Sequence, residues 1–506
     1  MSFEYPSDIL IHAARTWPNQ IVQCGDESLE YKKLLDQSKL VAGALQQRGI
    51  KRGGLLLSFT ADAFSNLLWA FAANFLGCKI LDLRLKPRQA VIAICNAHNL
   101  EVKAILTRPG ELFESLDCEN VFLALKSQGS IPSLEHLIDE DVKFAEVKRD
   151  VKDACIMCCT SGTTGNPKIV VHSNFAICGI IKATQTKTYL VSSHKDTELM
   201  VIPMMATVTY VTVLKCLNRG VKLVYAKNAM DYKSALPLIE KHKVTTMIAW
   251  SQIILSFIGN DQIDFSSLKK VAIAGMKVPR TTMAKILKKH PSIQFSIGYG
   301  SSEGMSFAWS NVTTGLEEGL VPFDFVSIQI RDSNGEVLKD SDSGHIWIKT
   351  PFVASEIIGA TKEFLKDGWL DTSDYGYLSE GKVYLQGRSD DLIISQNGKK
   401  FGANTIEDKM LQLKGISKTV VFGVPATELG DFVCVVYEPE AGVTVSPEQV
   451  RTHYKEHFEN LGVAPVEYFL SVQKIQSTDR GKISKKQIRE SIKQRLNLSQ
   501  QQLSRW

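Results

Sequence analysis

From residue 29 to about residue 300, short apolar runs rich in β-formers alternate with stretches of helical spacing. LEYKKLLDQSKLVAGALQQRGI (29–50) repeats its apolar residues at helical period and ends near Gly49. LLLSF (55–59) reads as a buried strand, and a helix around Leu67–Leu76 follows. KILDL (79–83), AILT (104–107), VFLAL (121–125) and CIMCC (155–159) read as further strands. The rhythm returns in VKLVYA, TTMIAW, KKVAIAG and IQFSIGYG. That alternation predicts an α/β fold with a largely parallel sheet.

Around residue 320 the character changes. VSIQIRD, HIWIKT and KVYLQGR look like antiparallel strands joined by Gly, Asp and Ser turns. GRSDD (387–391) is a polar break, followed by DLIIS, a helix near Thr405–Leu413, KTVVFGV, FVCVVYE and a helix from Ser446. These place a domain boundary at Asp390, between a large unit (1–389) and a small one (390–506). No internal repeat is visible.

The most membrane-like run, AFSNLLWAFAANFLGCKI (Ala63–Ile80), falls short of about 20 apolar residues and contains Asn66 and Asn74, so it reads as a buried helix. No integral membrane segment is expected. The start of the chain lacks a basic, apolar, small-residue run of the secretory kind, and the expected location is cytoplasmic. Ten cysteines in 506 residues do not suggest a disulfide framework. Cys155, Cys158 and Cys159 form a C-x-x-C-C cluster without a second group to complete a metal site, and a buried strand accounts for them better. A net charge of +5 over this length does not point to nucleic acid, and the basic C-terminal tail lacks aromatic platforms.

CTSGTTGNPKIVV (159–171) follows the CIMCC strand directly. Gly162, Thr163, Thr164 and Gly165 offer main-chain N–H groups that can converge on an anion. Thr160, Ser161, Thr163 and Thr164 add hydroxyls, and Lys168 adds a positive charge. The spacing fits neither a Walker A loop nor G-x-G-x-x-G.

T-S-G-T-T-G-x-P-K resembles the signature of the adenylate-forming superfamily, which includes acyl-CoA synthetases, adenylation domains and luciferase-like AMP-binding enzymes. Further motifs follow in that family's order: GYGSSEG (298–304), GWLDTSDYGYL (368–378), VYLQGRSDDLI (383–393) and STDRGKISK (477–485). The resemblance spans about residues 25–490. It implies a large N-terminal domain of mixed sheets flanked by helices, with a β-barrel-like subdomain, and a small mobile α+β C-terminal domain. It also implies ATP and Mg²⁺ as cofactors, and CoA or the phosphopantetheine of an acyl carrier protein as acceptor.

The resemblance further implies residue roles. Thr160, Ser161, Gly162, Thr163, Thr164, Gly165 and Lys168 would hold the β- and γ-phosphates. Glu303 would hold Mg²⁺, a hard cation suited to carboxylate and phosphate oxygens; Ser302 beside it replaces the usual threonine. Tyr299 would lie against adenine, with Gly300 beside it and Gly275 lining the pocket by its main chain. Asp374 would accept hydrogen bonds from both ribose hydroxyls, and Arg388 would contact the ribose. Lys482 would be the catalytic cation, placed between carboxylate and α-phosphate. Asp390 would be the hinge, and SQNGKKFG (395–402), with Lys400 where arginine is common, would approach the thiol.

Other departures from the family's pattern bear on the site. Ile169 stands where glycine usually follows the lysine, and Ser373 replaces the glycine of W-x-x-T-G-D. VIPMMATVTYVT (201–212) lacks both P-x-x-H and a carboxylate. A buried ammonium without a counter-charge would be costly, so an α-amino acid substrate is disfavoured. Met205, Ala206, Thr207, Trp250 and Met305 are the candidate lining of an apolar acid pocket, although Met-rich core packing explains the same stretch. The expected activity is ATP-dependent conversion of a fatty or aryl acid to an acyl-adenylate, then transfer to CoA; the alternative acceptor is a phosphopantetheinyl carrier protein.

Overall fold

The computed structural model describes residues 3–84, 86–111, 113, 115–118, 120–124, 131–160, 167–185, 192–201, 206–226, 232–249, 253–254, 257, 259–260, 262–275, 278, 280–312, 319–360, 364–395, 400–425, 430–458, 466–475 and 485–492. Among these, the predicted strands divide between two sheets rather than forming one. The first runs, in spatial order, Glu356–Ile358, Lys168–Ser173, Ala154–Thr160, Lys79–Asp82, Leu55–Phe59, Val102–Thr107 and Val121–Leu123. Its last five strands are mutually parallel, and Lys168–Ser173 folds back antiparallel on Ala154–Thr160. The second sheet has parallel strands Ile21–Cys24, Lys222–Tyr225, Thr197–Met200, Thr246–Ala249, Lys270–Ala274 and Gln294–Ser301, edged by antiparallel ones.

Helix Ala63–Leu76 shows why the membrane-like run is core. Asp62 caps it, accepting from Ser65 N at 2.7 Å, and Gly77 ends it in the left-handed conformation. Its two asparagines are satisfied inside the protein. The Asn66 amide donates to the Thr60 and Asp62 carbonyls, and Asn74 accepts from Ser7 N at 3.0 Å. Trp69 is fully buried, and the surrounding core joins residues of both sheets, including Ile80, Ile156, Leu223 and Tyr225. Full burial of each large apolar side chain contributes roughly 1.5–3 kcal/mol. No helix among the described residues is long and apolar enough to cross a membrane.

Cys155, Cys158 and Cys159 all lie buried in Ala154–Thr160, with Cys158 and Cys159 serving different core clusters on opposite faces. Helix 29–50 starts at Tyr31, two residues later than its spacing suggests, because Glu27–Glu30 pairs as an edge strand.

Strands Ser327–Arg331, Gly344–Lys349, Leu365–Lys366, Trp369–Ser379 and Lys382–Arg388 form an antiparallel sheet over a separate core containing Phe307, Ile346 and Ile348. Asp390 is exposed in the 3₁₀ turn Ser389–Asp391. Beyond it, hairpin Leu392–Ile394/Lys400–Gly402 leads to a sheet of Ile416–Pro425, Asp431–Pro439 and Val466–Ser471. Helices Ala403–Met410, Pro447–Phe458 and Lys485–Ile492 accompany these strands, and residues from Ile393 onward fill two cores of their own. The helix expected at 405–413 begins and ends earlier. The one expected from Ser446 is capped there, with Ser446 N donating to Gln449 Oε1 and Gln449 N to Ser446 Oγ.

Candidate nucleotide-binding site

Two hairpins and one strand pair converge on the proposed site. The first hairpin is Ala154–Thr160/Lys168–Ser173, closed where Thr160 pairs with Lys168 and Thr160 Oγ1 donates to the Lys168 carbonyl at 3.4 Å. Ser161, Gly162, Thr163, Thr164 and Gly165 lie outside the described residues. Leaving the loop, the Pro167 carbonyl accepts from His98 Nε2 at 3.0 Å. Ile169, the departure from the family's glycine, pairs with Cys159 and Ile358 and is fully buried in the core below the loop. A large apolar residue at that position gains burial that glycine forgoes.

The second hairpin, Gln294–Ser301/Met305–Val312, carries Ser302 and Glu303 in its turn. A Cβ on Gly300 would sit 1.9 Å from the Met305 carbonyl oxygen, and the register shifts between Tyr299 and Gly300. Only glycine admits that close approach. The turn is fixed on several sides. Ala354 N donates to the Glu303 carbonyl at 2.7 Å, Gly304 N to Ser301 Oγ at 3.2 Å, and His172 Nε2 to the Ser302 carbonyl at 2.7 Å. His172 belongs to the return strand of the first hairpin, so it ties the glutamate turn to that hairpin. Burial lowers its pKa to about 4, outweighing the pull of the Glu303 charge, so the ring is neutral with its proton on Nε2. Its Nδ1 is buried without a partner among the described residues.

The strand pair is Trp369–Ser379/Lys382–Arg388, in which Asp374 stands opposite Arg388. Tyr299 Oη donates to Asp374 Oδ2 at 2.8 Å, and Arg388 approaches Oδ1 at 3.1 Å while also donating to the Thr372 carbonyl at 2.9 Å. Thr372 Oγ1 accepts from Asp374 N and donates to the Ile346 carbonyl. Burial raises the Asp374 pKa, while Arg388 and Tyr299 oppose the rise. Burial also lifts the Tyr299 phenol well above its ordinary value, and the Asp374 charge adds to it. Each carboxylate oxygen keeps a second lone pair for a further donor.

Ser373, beside this aspartate, has φ +55°, the left-handed region where the family's glycine is at ease. Its N–H donates to Asp371 Oδ1 at 2.8 Å, which holds the turn. Gly275 follows strand Lys270–Ala274 at φ +80°, and a Cβ there would meet nothing within 4 Å among the described residues.

The acid-pocket candidates divide. Ala206 stands just before helix Thr207–Leu217, and the buried Thr207 Oγ1 donates to Cys158 Sγ at 3.1 Å, which couples this helix to strand Ala154–Thr160. Met305 is buried in the core that also contains Phe352. Met205, Trp250 and the catalytic candidate Lys482 lie outside the described residues.

Across the proposed hinge, Gly402 passes so close to strand Lys382–Arg388 that its Cβ would lie 1.8 Å from the Gln386 carbonyl oxygen. Lys400 Nζ stands 5.9 Å from the ring centroid of Tyr375, the neighbour of Asp374. Lys485, three residues after Lys482, meets Glu407 at 3.0 Å and Asp391 at 3.6 Å.

The sequence reading missed His98 and His172. IVVHSN offered one cue for the latter, a histidine inside an otherwise apolar strand.

The family described as AMP-binding enzyme matches residues 10–357. A long-chain-fatty-acid–CoA ligase of Thermus thermophilus is 23% identical, covering 92% of this chain and 90% of its own. A feruloyl-CoA synthase of an Amycolatopsis species is likewise 23% identical, covering 95% and 97%. Among solved structures, the anthranilate CoA ligase AuaEII in complex with anthranoyl-AMP superposes with TM-score 0.86 at 17% identity over 98% of both chains. With the family match extending over more than half its length, the chain is a member of the AMP-binding enzyme family.

Proposed function

We propose that this chain is an AMP-forming acid–thiol ligase. It joins a carboxylic acid to AMP with release of pyrophosphate, then passes the acyl group to the thiol of CoA. The observation that supports this most is the Asp374 carboxylate, held between Tyr299 and Arg388 beside two hairpins that His172 ties together.

A carboxylate is a poor acyl donor because its leaving group would be oxide. Its oxygen attacks the α-phosphorus of ATP, the bond to the bridging oxygen breaks, and pyrophosphate leaves with that electron pair. The resulting mixed anhydride has a good leaving group, AMP, which a thiolate then displaces. The protein's part is positioning and charge neutralisation. In this reading the main-chain N–H groups and hydroxyls of 160–165, with Lys168, grip the outer phosphates. Asp374 accepts from the ribose hydroxyls, and Tyr299 presents its ring to adenine while its hydroxyl holds that aspartate. Gly275 leaves room beside the base.

A magnesium ion fits the donor set, since Glu303 offers one carboxylate on a turn fixed by three hydrogen bonds and phosphate oxygens would complete the shell. Bound there, it would offset the triphosphate charge. Lys482 supplies the cation between carboxylate and α-phosphate. Asp390 is the hinge about which the small domain, 390–506, turns to withdraw Lys482 and admit the thiol.

The acid is proposed to be fatty or aryl and to lack an α-amino group. Helix Thr207–Leu217 carries no carboxylate to pair with an ammonium, and relatives named for long-chain fatty acids and for ferulate fit an apolar pocket. Carboxylate-dependent ATP–pyrophosphate exchange over a panel of fatty, aryl and amino acids tests this. Exchange with a fatty or aryl acid is expected; a preference for amino acids, or exchange indifferent to acid, would overturn it. CoA and a holo carrier protein, offered to the best acid, then reveal the acceptor, with CoA expected.

A further inference from the structure

Helix Pro447–Phe458 turns Val450, Tyr454 and Phe458 into the core of the small C-terminal unit. At the edge of that stripe lie His453 and His457, one helical turn apart, with Glu456 between them in sequence and exposed. One ligand atom from each of the three lies within 4.8 Å of the others. The two rings are 4.4 Å apart between centroids.

The main chain fixes the protons of both rings. His453 Nε2 lies 2.9 Å from the Lys409 carbonyl, at the end of helix Ala403–Met410, and His457 Nδ1 lies 2.9 Å from the His453 carbonyl. A carbonyl only accepts, so each of these nitrogens is the N–H of its ring. The remaining nitrogen of each neutral ring carries a lone pair. Imidazoles that ligate a metal are commonly oriented by such a hydrogen bond at the other nitrogen. The nearby Arg451 is engaged elsewhere, with Glu448 at 3.5 Å and over the Phe469 ring.

We propose that His453, Glu456 and His457 bind one divalent d-block cation of the zinc–nickel–copper kind. Two imidazoles and one carboxylate select such ions over magnesium or calcium, which prefer oxygen shells. Bonds of about 2.0–2.1 Å hold tetrahedral donors about 3.4 Å from one another, so binding requires the three side chains to draw together. Three protein ligands leave a position for water, so the site is exchangeable. All three ligands lie on helix Pro447–Phe458, so a bound ion stabilises the small unit by binding its folded form in preference to the unfolded chain. This inference does not depend on the ligase reading.

The test is zinc titration of the untagged full chain against a chromophoric chelator, with thermal unfolding followed in parallel. One equivalent binding at micromolar zinc, with a rise in melting temperature, is expected. Both are lost in His453→Ala/His457→Ala. His457→Ala alone, which keeps the His453–Lys409 bond, loses them too, and so excludes misfolding as the cause. X-ray absorption at the zinc edge of the native chain should show a nitrogen and oxygen shell. No bound zinc, zinc retained by the double variant, or a sulfur shell from the cysteines would overturn the proposal.

Discussion

Two carboxylates, both largely removed from water, occupy very different settings. Asp374 lies at the meeting of three elements, with an arginine, a phenol and a threonine gathered around it. Glu198, in the middle of the second sheet, is fully buried; the Thr246 hydroxyl donates to its Oε2, and Asp196 adds like charge. Burial raises both pKa values, that of Glu198 to about 7. The contrast fits the role proposed for Asp374. A carboxylate that must stay charged and accept a ligand's hydroxyls needs a cation beside it, whereas one that only packs can keep its proton.

The largest expected effect breaks the member of the pair proposed to bind nucleotide. Asp374→Ala should lower ATP–pyrophosphate exchange by on the order of 10²–10³, as loss of one preorganised polar group does, with melting temperature little changed. A variant as active as the native chain would remove Asp374 from the site.

Glu198 should govern stability rather than activity. Its folded pKa lies above the unfolded one, so the folded state holds the proton more tightly. Its contribution is complete below about pH 4.5 and declines as pH rises to about 7, by roughly 3 kcal/mol in all. Denaturant unfolding from pH 5 to 8 should show that decline in the native chain and a flatter profile in Glu198→Gln. Parallel profiles would mean that Glu198 titrates normally.

Tyr299→Phe sharpens the comparison by removing one donor from Asp374 while keeping the ring. Nucleotide binding should weaken by about 1 kcal/mol, some fivefold, measured by calorimetry. The smallest effect belongs to Ser373→Gly. Relief of the left-handed serine should stabilise the fold by about 0.5–1 kcal/mol, partly offset by the greater freedom of glycine when unfolded. Destabilisation would show that the Ser373–Asp371 turn matters more than the backbone strain.

The sequence displayed most of the architecture because its signals are local. LLLSF, KILDL and CIMCC are largely apolar and lie in the interior of the first sheet, and Ser446 announces a helix with its capping box. Division of the strands into two sheets was hidden. Pairing of Ile21–Cys24 with Lys222–Tyr225 joins segments about two hundred residues apart, and nothing local specifies it. The candidate site divides in the same way. Motif spacing pointed to Tyr299, Asp374 and Arg388 one by one, but the hydrogen bonds among them depend on tertiary contact. His172 was invisible as a tie because its partner is a main-chain carbonyl, which any residue at 302 would supply.

The account rests on Asp374 receiving the ribose. Calorimetric binding of ATP and of 2′,3′-dideoxy-ATP to the native chain and to Asp374→Ala tests that directly. Loss of the two hydroxyls should weaken binding to the native chain by about 10–100-fold and leave the variant's affinity almost unchanged. An equal loss in both proteins would place the ribose away from Asp374 and contradict the account.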